Sequence, residues 1–131
     1  MIVIDSSYAL ACVMPDEVRP AGMGAVLSEA LLAPFLWPLE LASAARSAVR
    51  RKRLDATQAR SLCVKLLDLD VEMVRPWHDE PLRYFDIAIS HELTPYDGVY
   101  LDLALTRRCP IATRDVALIA AAERLGLQVH Q

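Results

Sequence analysis

Three observations predict a three-layer α/β/α fold with a mostly parallel sheet of about five strands. Short apolar runs alternate with stretches of helical period along the whole chain. No two of these runs are joined by a hairpin turn such as Asn-Gly, and parallel strands need helical crossovers instead. The candidate strands are nearly all apolar, as expected where helices cover both faces of a sheet. At 131 residues the chain has the size of one ordinary domain, expected to span 1–131.

Residues 2–5 (IVID) read as the first strand, followed by a short helix over 6–14. PDEVRP is expected to open a second helix, kinked or restarted at Pro20. LLAPFLW (31–37) is the second strand, with Pro34 expected near its start or at a sheet edge. PLELASAARSAV then carries apolar residues at 41, 42, 45, 48 and 49, which is helical spacing, and Pro38 is tolerated in a first turn. Asp55 and Gln58 have the spacing of a capping box, and Ala59, Leu62, Leu66 and Leu69 line the buried face of the helix they open. VEMV (71–74) is a third strand and 79–91 a further helix. Thr94-Pro95-Tyr96-Asp97 combines a capping residue, proline at the first position and an acid three residues after the cap; its helix runs to about Arg107. PIAT (110–113) is a fourth strand, DVALIAAAERLG a helix ending at Gly126 as a left-handed cap, and LQVH a fifth strand.

The chain is 54% hydrophobic and 24% charged, enough apolar material for a substantial core and unlike a disordered tail. No apolar run reaches the ~20 residues of a spanning helix. Asp5 interrupts any secretory signal at once, so the expectation is a soluble, cytoplasmic protein. Cys12, Cys63 and Cys109 form an odd set without a CxxC pair, which fits a reducing compartment better than a disulfide framework or a zinc site. A formal net charge of −3 makes no global case for nucleic-acid binding, so any such case rests on local patches.

Four acids mark the junctions of the predicted elements. Asp5 ends the first strand. Glu40 and Asp97 lie in first helical turns, and Asp115 follows the fourth strand. Open parallel sheets bind ligands at the carboxyl ends of their strands, where strand order reverses, so the four are expected to converge on one rim. Taken singly, each is equally explained as a cap or a favourable charge at a helix N-terminus. Ser43 and Ser47 extend a polar stripe from Glu40, however, and an acid ending an apolar strand has no ready capping explanation. Carboxylates gathered in this way repel one another, and a hard divalent cation such as Mg²⁺ or Mn²⁺ relieves the repulsion. Such an ion leaves coordination positions for water and phosphate oxygens, the arrangement of a phosphodiester-cleaving site.

The sequence resembles the PIN-domain family, and within it the VapC-like ribonuclease toxins of toxin–antitoxin pairs. The resemblance rests on MIVIDSSYAL, WPLELASAA, LTPYDGVYLDLAL and PIATRDVAL, in the family's order and over essentially the whole chain. It implies that Asp5, Glu40, Asp97 and Asp115 are the catalytic, metal-holding residues, with Ser6, Ser43 and Thr113 as polar residues ordering them. Many relatives carry Asn where Ser43 stands. It further implies a Mg²⁺- or Mn²⁺-dependent endoribonuclease, an RNA substrate in the translation machinery, a small antitoxin over the acidic cleft, and a homodimer.

Several features have competing explanations. RSAVRRKR (46–53) packs five basic residues into eight positions. Arg46, Arg50 and Arg53 share one helical face that could meet RNA phosphates, but cations also gather at helix C-termini for the dipole alone. Arg114, beside Asp115, is placed for an RNA contact or for solvent. Asp102, five residues after Asp97, lies about 140° further round the helix and is expected at the surface. His78, His91 and His130 have no mutual ligand spacing. Two other functional classes fit the fold. An α/β phosphotransfer protein is disfavoured by Ser7 where a phosphatase needs a second Asp, and by lysines only at 52 and 65 where a receiver needs one late in the chain. A binding or regulatory module that keeps the acids without turnover is the second.

Overall fold

The computed structural model of the chain describes residues 1–75 and 81–131. The fully buried run Ile2–Ile4 forms β1, and Ser6–Val13 forms α1. PDEVRP does not open a helix. The next helix, α2, is the single short turn Met23–Leu27, entered through Gly22 at φ 71. Pro15 and Pro20 supply no backbone donor, and the polar side chains between them bind elsewhere. Arg19 Nη1 donates to the Ala11 and Met14 carbonyls at 2.9 and 2.7 Å, closing the end of α1.

Strand β2 is Leu31–Pro34, shorter than the run to residue 37, because Leu36 already has helical dihedrals and α3 spans Trp37–Arg50. Pro34 sits neither at a strand start nor in an edge strand. It is the last residue of an interior strand, beyond the Ile2↔Leu31 and Val3↔Leu32 pairs with β1, at the end of the ladder on its other side, where its partner is Val74. The capping box opens α4, Ala56–Leu67: Asp55 Oδ1 accepts from the Gln58 N–H at 2.7 Å, and Gln58 Oε1 from the Asp55 N–H at 2.9 Å. Leu69 lies beyond this helix and is only partly buried. Strand β3, Val71–Val74, is an edge strand with Glu72 and Met73 exposed, which limits the expectation of wholly apolar strands. Helix α5 is Pro81–His91 and α6 is Pro95–Arg107, the latter capped by Thr94. Then follow β4 (Ile111–Ala112), α7 (Val116–Arg124), a turn through Gly126 at φ 74, and β5 (Val129–His130).

All five strands pair in parallel, in the order β3-β2-β1-β4-β5. Helices α1, α3 and α4 pack together, as do α5, α6 and α7, giving the two outer layers of the sandwich. The order is not the 2-1-3-4-5 of receiver folds, which removes that form of the phosphotransfer alternative. It reverses between β1 and β4, so the rim above Asp5 and Thr113 is the switch point. The core runs through both layers, from Ile4 and Tyr8 to Tyr100, Leu101 and Leu118, all without appreciable exposure. No described helix is long and apolar enough to cross a membrane.

Candidate active site

Asp5 leaves β1 with its N–H bonded to the Ala112 carbonyl at 2.9 Å, which seats it beside the end of β4. It occupies the N-cap position of α1, yet its side chain caps nothing. The carboxylate is 4% exposed and turns to hydroxyls instead. Thr113 Oγ1 donates to Asp5 Oδ2 at 2.8 Å, and Ser7 Oγ makes a short bond to the same oxygen. Capping therefore does not explain Asp5.

Glu40 projects from the first turn of α3 and accepts a short hydrogen bond from the hydroxyl of Tyr100, one turn after Asp97 on α6. The bond ties the two outer layers together at the rim. Asp97 is held by its own cap: Thr94 Oγ1 donates to Asp97 Oδ2 at 2.7 Å and accepts from the Asp97 N–H at 3.1 Å. Asp115 does act as a cap, accepting the Leu118 N–H on Oδ1 at 2.8 Å, while its own N–H reaches Thr113 Oγ1 at 3.1 Å. For this residue the capping explanation holds, and it leaves the second carboxylate oxygen free of that role.

Electrostatics connect the four. Burial pushes Glu40 up to about 7, against the pull of the Tyr100 hydrogen bond, and the charges of Asp5 and Asp97 add to the rise. Asp97 is likewise raised, first by burial, with Asp115 and Asp5 contributing against the Thr94 hydrogen bond. Burial and the neighbouring Glu40 also raise Tyr100, keeping it a hydrogen-bond donor. Among the described residues, no lysine or arginine forms an ion pair with any of the four acids. Nor are three of the described His, Cys, Asp or Glu side chains gathered into a ready coordination cage. The donors available are oxygens only, three of the carboxylates being pinned by hydroxyls: Asp5 by Ser7 and Thr113, Glu40 by Tyr100 and Asp97 by Thr94. That chemistry suits a hard divalent ion that takes one or two carboxylates and keeps its waters.

No family model and no curated protein sequence matches the chain. Solved structures do. PAE2754 from Pyrobaculum aerophilum is 22% identical with a TM-score of 0.73, covering 98% of this chain and 82% of that one. The Mycobacterium tuberculosis toxin VapC20, described as sarcin-ricin loop cleaving, is 13% identical with a TM-score of 0.67, covering 92% and 95%. FitAcB from Neisseria gonorrhoeae is 18% identical with a TM-score of 0.62, covering 100% and 97%. The chain has a PIN-like fold.

Within this PIN-like fold the polar neighbours differ from those expected. Ser6 Oγ lies 3.4 Å from Asp5 Oδ1, too far for a firm bond, and Ser7 takes the role. Ser43 is exposed, and its side chain makes no hydrogen bond among the described residues. Thr113 sits as expected, fully buried against Asp5. Tyr100 was not singled out from the sequence, though its place three residues after Asp97 puts both on one helix face. Asp102 points away from the acids and pairs with Arg83 of α5 at 2.6 Å rather than standing free in solvent. Arg46 and Arg50 are exposed on α3. Arg53 does not share their face, because the helix ends at Arg50 and Lys52 turns left-handed at φ 58. It binds Asp16 and Glu17 instead. His78, with Asp79 and Glu80, lies outside the described residues.

Proposed function

We propose that this protein is a Mg²⁺- or Mn²⁺-dependent endoribonuclease, held by Asp5, Glu40, Asp97 and Asp115. The observation that carries this reading is a set of carboxylates at the switch point of a parallel sheet, where, beyond burial, the charges of Asp5 and Asp97 raise Glu40 and those of Asp115 and Asp5 raise Asp97, with no cationic side chain among the described residues paired to the four. A bound divalent ion supplies a water of lowered pKa and charge stabilisation for phosphate oxygens. The protein's own part is positional. Hydroxyls of Ser7 and Thr113 fix Asp5, Tyr100 orients Glu40, and Thr94 orients Asp97. Burial raises the Glu40 carboxyl to about 7, and holding a divalent ion would require its deprotonated form. RNA as the substrate class is supported by the similar fold of VapC20, a toxin described as sarcin-ricin loop cleaving.

A toxin role follows on the same footing, with a small antitoxin laid over the acids and Arg side chains answering the carboxylates. A partner surface or homodimer contact is supported by the outer face of α5, where Leu82, Phe85 and Ile89 recur at helical spacing and are 67%, 59% and 66% exposed. Cleavage of a structured RNA by the purified protein tests the proposal. Expected are cuts in Mn²⁺ or Mg²⁺, none in a chelator, and at least 100-fold slower cutting by Asp5→Asn and Asp97→Asn. A wild-type protein that never cuts any RNA, yet binds metal, would instead support the regulatory module.

A further inference from the structure

We propose that the cleft beside Asp5 is a subsite for the nucleotide flanking the cleaved bond, with Arg114 clasping its phosphate. This rests on the nuclease reading. The cleft holds about 380 Å³, within the range of small-ligand pockets, and is bordered by Ser7, Leu10, Met14, Glu17, Ala44 and Arg114. Ser7 belongs to both places. It donates to Asp5 and accepts the Arg114 N–H at 2.9 Å, so the cleft opens one side chain from the acids. Its wall includes Glu17, whose segment 15–19 is fixed from three sides. Arg53, which also faces the cleft, grips Asp16 through two bonds of 2.8 Å and Glu17 through one of 3.0 Å. Arg19 ties the segment back to α1, and Arg114 Nη1 donates to the Val18 carbonyl at 2.7 Å.

The two cleft arginines therefore differ. The charge of Arg53 is matched by carboxylates, Glu17 among them. Arg114 meets only a carbonyl, has no ion pair among the described residues, and keeps its other N–H groups for a ligand. A single bond to Val18 holds the guanidinium plane without neutralising it. A polyanion crossing four carboxylates is repelled, and a preset guanidinium next to them is what offsets that repulsion for a phosphate. Leu10, Met14 and Ala44 leave an apolar floor for the sugar or base.

The test separates binding from cutting. Anisotropy of a labelled single-stranded oligoribonucleotide is followed in chelator across a salt series, and cleavage kinetics in Mn²⁺. Arg114→Ala is expected to bind about tenfold more weakly and reduce the salt slope by about one. Its KM should rise about tenfold with kcat within about twofold. Arg114→Lys should recover part of the loss, Ala44→Phe should weaken binding by filling the cleft, and Arg124→Ala on α7 should match wild type. Wild-type affinity in either Arg114→Ala or Ala44→Phe overturns the proposal. Arg114-dependent binding without cleavage by any variant would sink the nuclease reading and leave the subsite standing; cleavage unaffected by Arg114→Ala does the reverse.

Discussion

Tyr100 donates to Glu40 from a position with no exposure, so Tyr100→Phe removes one hydrogen bond and little volume. The variant should remain folded, within about 1–2 kcal/mol of wild type by urea unfolding, and lose about 10–100-fold in cleavage or metal affinity because Glu40 is no longer oriented. Tyr8 is the contrasting case: its hydroxyl is buried without a partner among the described residues. Tyr8→Phe should therefore be neutral or stabilise by up to about 1 kcal/mol, and a clear loss of stability would contradict the burial described here. Residues whose chemistry conflicts with their neighbourhood were legible in the sequence. Asp5, an acid closing an apolar strand, is the plainest example. Ser7 and Tyr100 were not, because a serine in a helix and a tyrosine on an apolar face conflict with nothing. Only the fold shows what their hydroxyls reach.

Thr94 and Asp55 are both N-caps, but only Thr94 also grips an acid of the site. Thr94→Ala and Asp55→Ala should each cost about 0.5–2 kcal/mol in thermal or urea unfolding. Thr94→Ala should in addition slow cleavage, whereas Asp55→Ala should leave it within about twofold; equal effects on activity would deny Asp97 its dependence on the cap. These helix starts were readable because capping is local chemistry of four residues. PDEVRP misled for the same reason. Its acids and arginine look like a helix opening, but the arginine turns back to the carbonyls of residues 11 and 14, and the acids are held by Arg53, which is far away in sequence and invisible to a short window. Strand lengths were overread by one to three residues at β1, β2, β4 and β5. Only at β2 does an apolar run, 35–37, continue past the strand into a helix start, while Asp5, Pro110, Thr113, Leu127 and Gln128 flank the other strands outside the ladder.

Strand order could not be read from alternation, which predicts a parallel sheet but not where its order reverses; the β1–β4 pairing supplies that and sets two of the four acids, Asp5 and Asp115, just beyond the ends of neighbouring strands. Gathering them has a thermodynamic signature. Glu40 is raised from an ordinary 4.5 to about 7, so between these values the folded protein binds more protons than the unfolded chain. Stability of the metal-free protein should then fall as pH rises from about 4.5 to 7, by about 1–2 kcal/mol after allowing for solvent screening of a half-buried group. Glu40→Gln should flatten that slope, and Mn²⁺ should raise Tm at neutral pH by mass action. Calorimetric titration of Mn²⁺ into the wild-type protein, Glu40→Gln and Asp97→Asn at pH 7.5 probes the convergence most directly. Saturable binding to wild type, weakened at least tenfold in each variant, is expected. No binding to wild type, or equal binding to all three, would contradict the convergence.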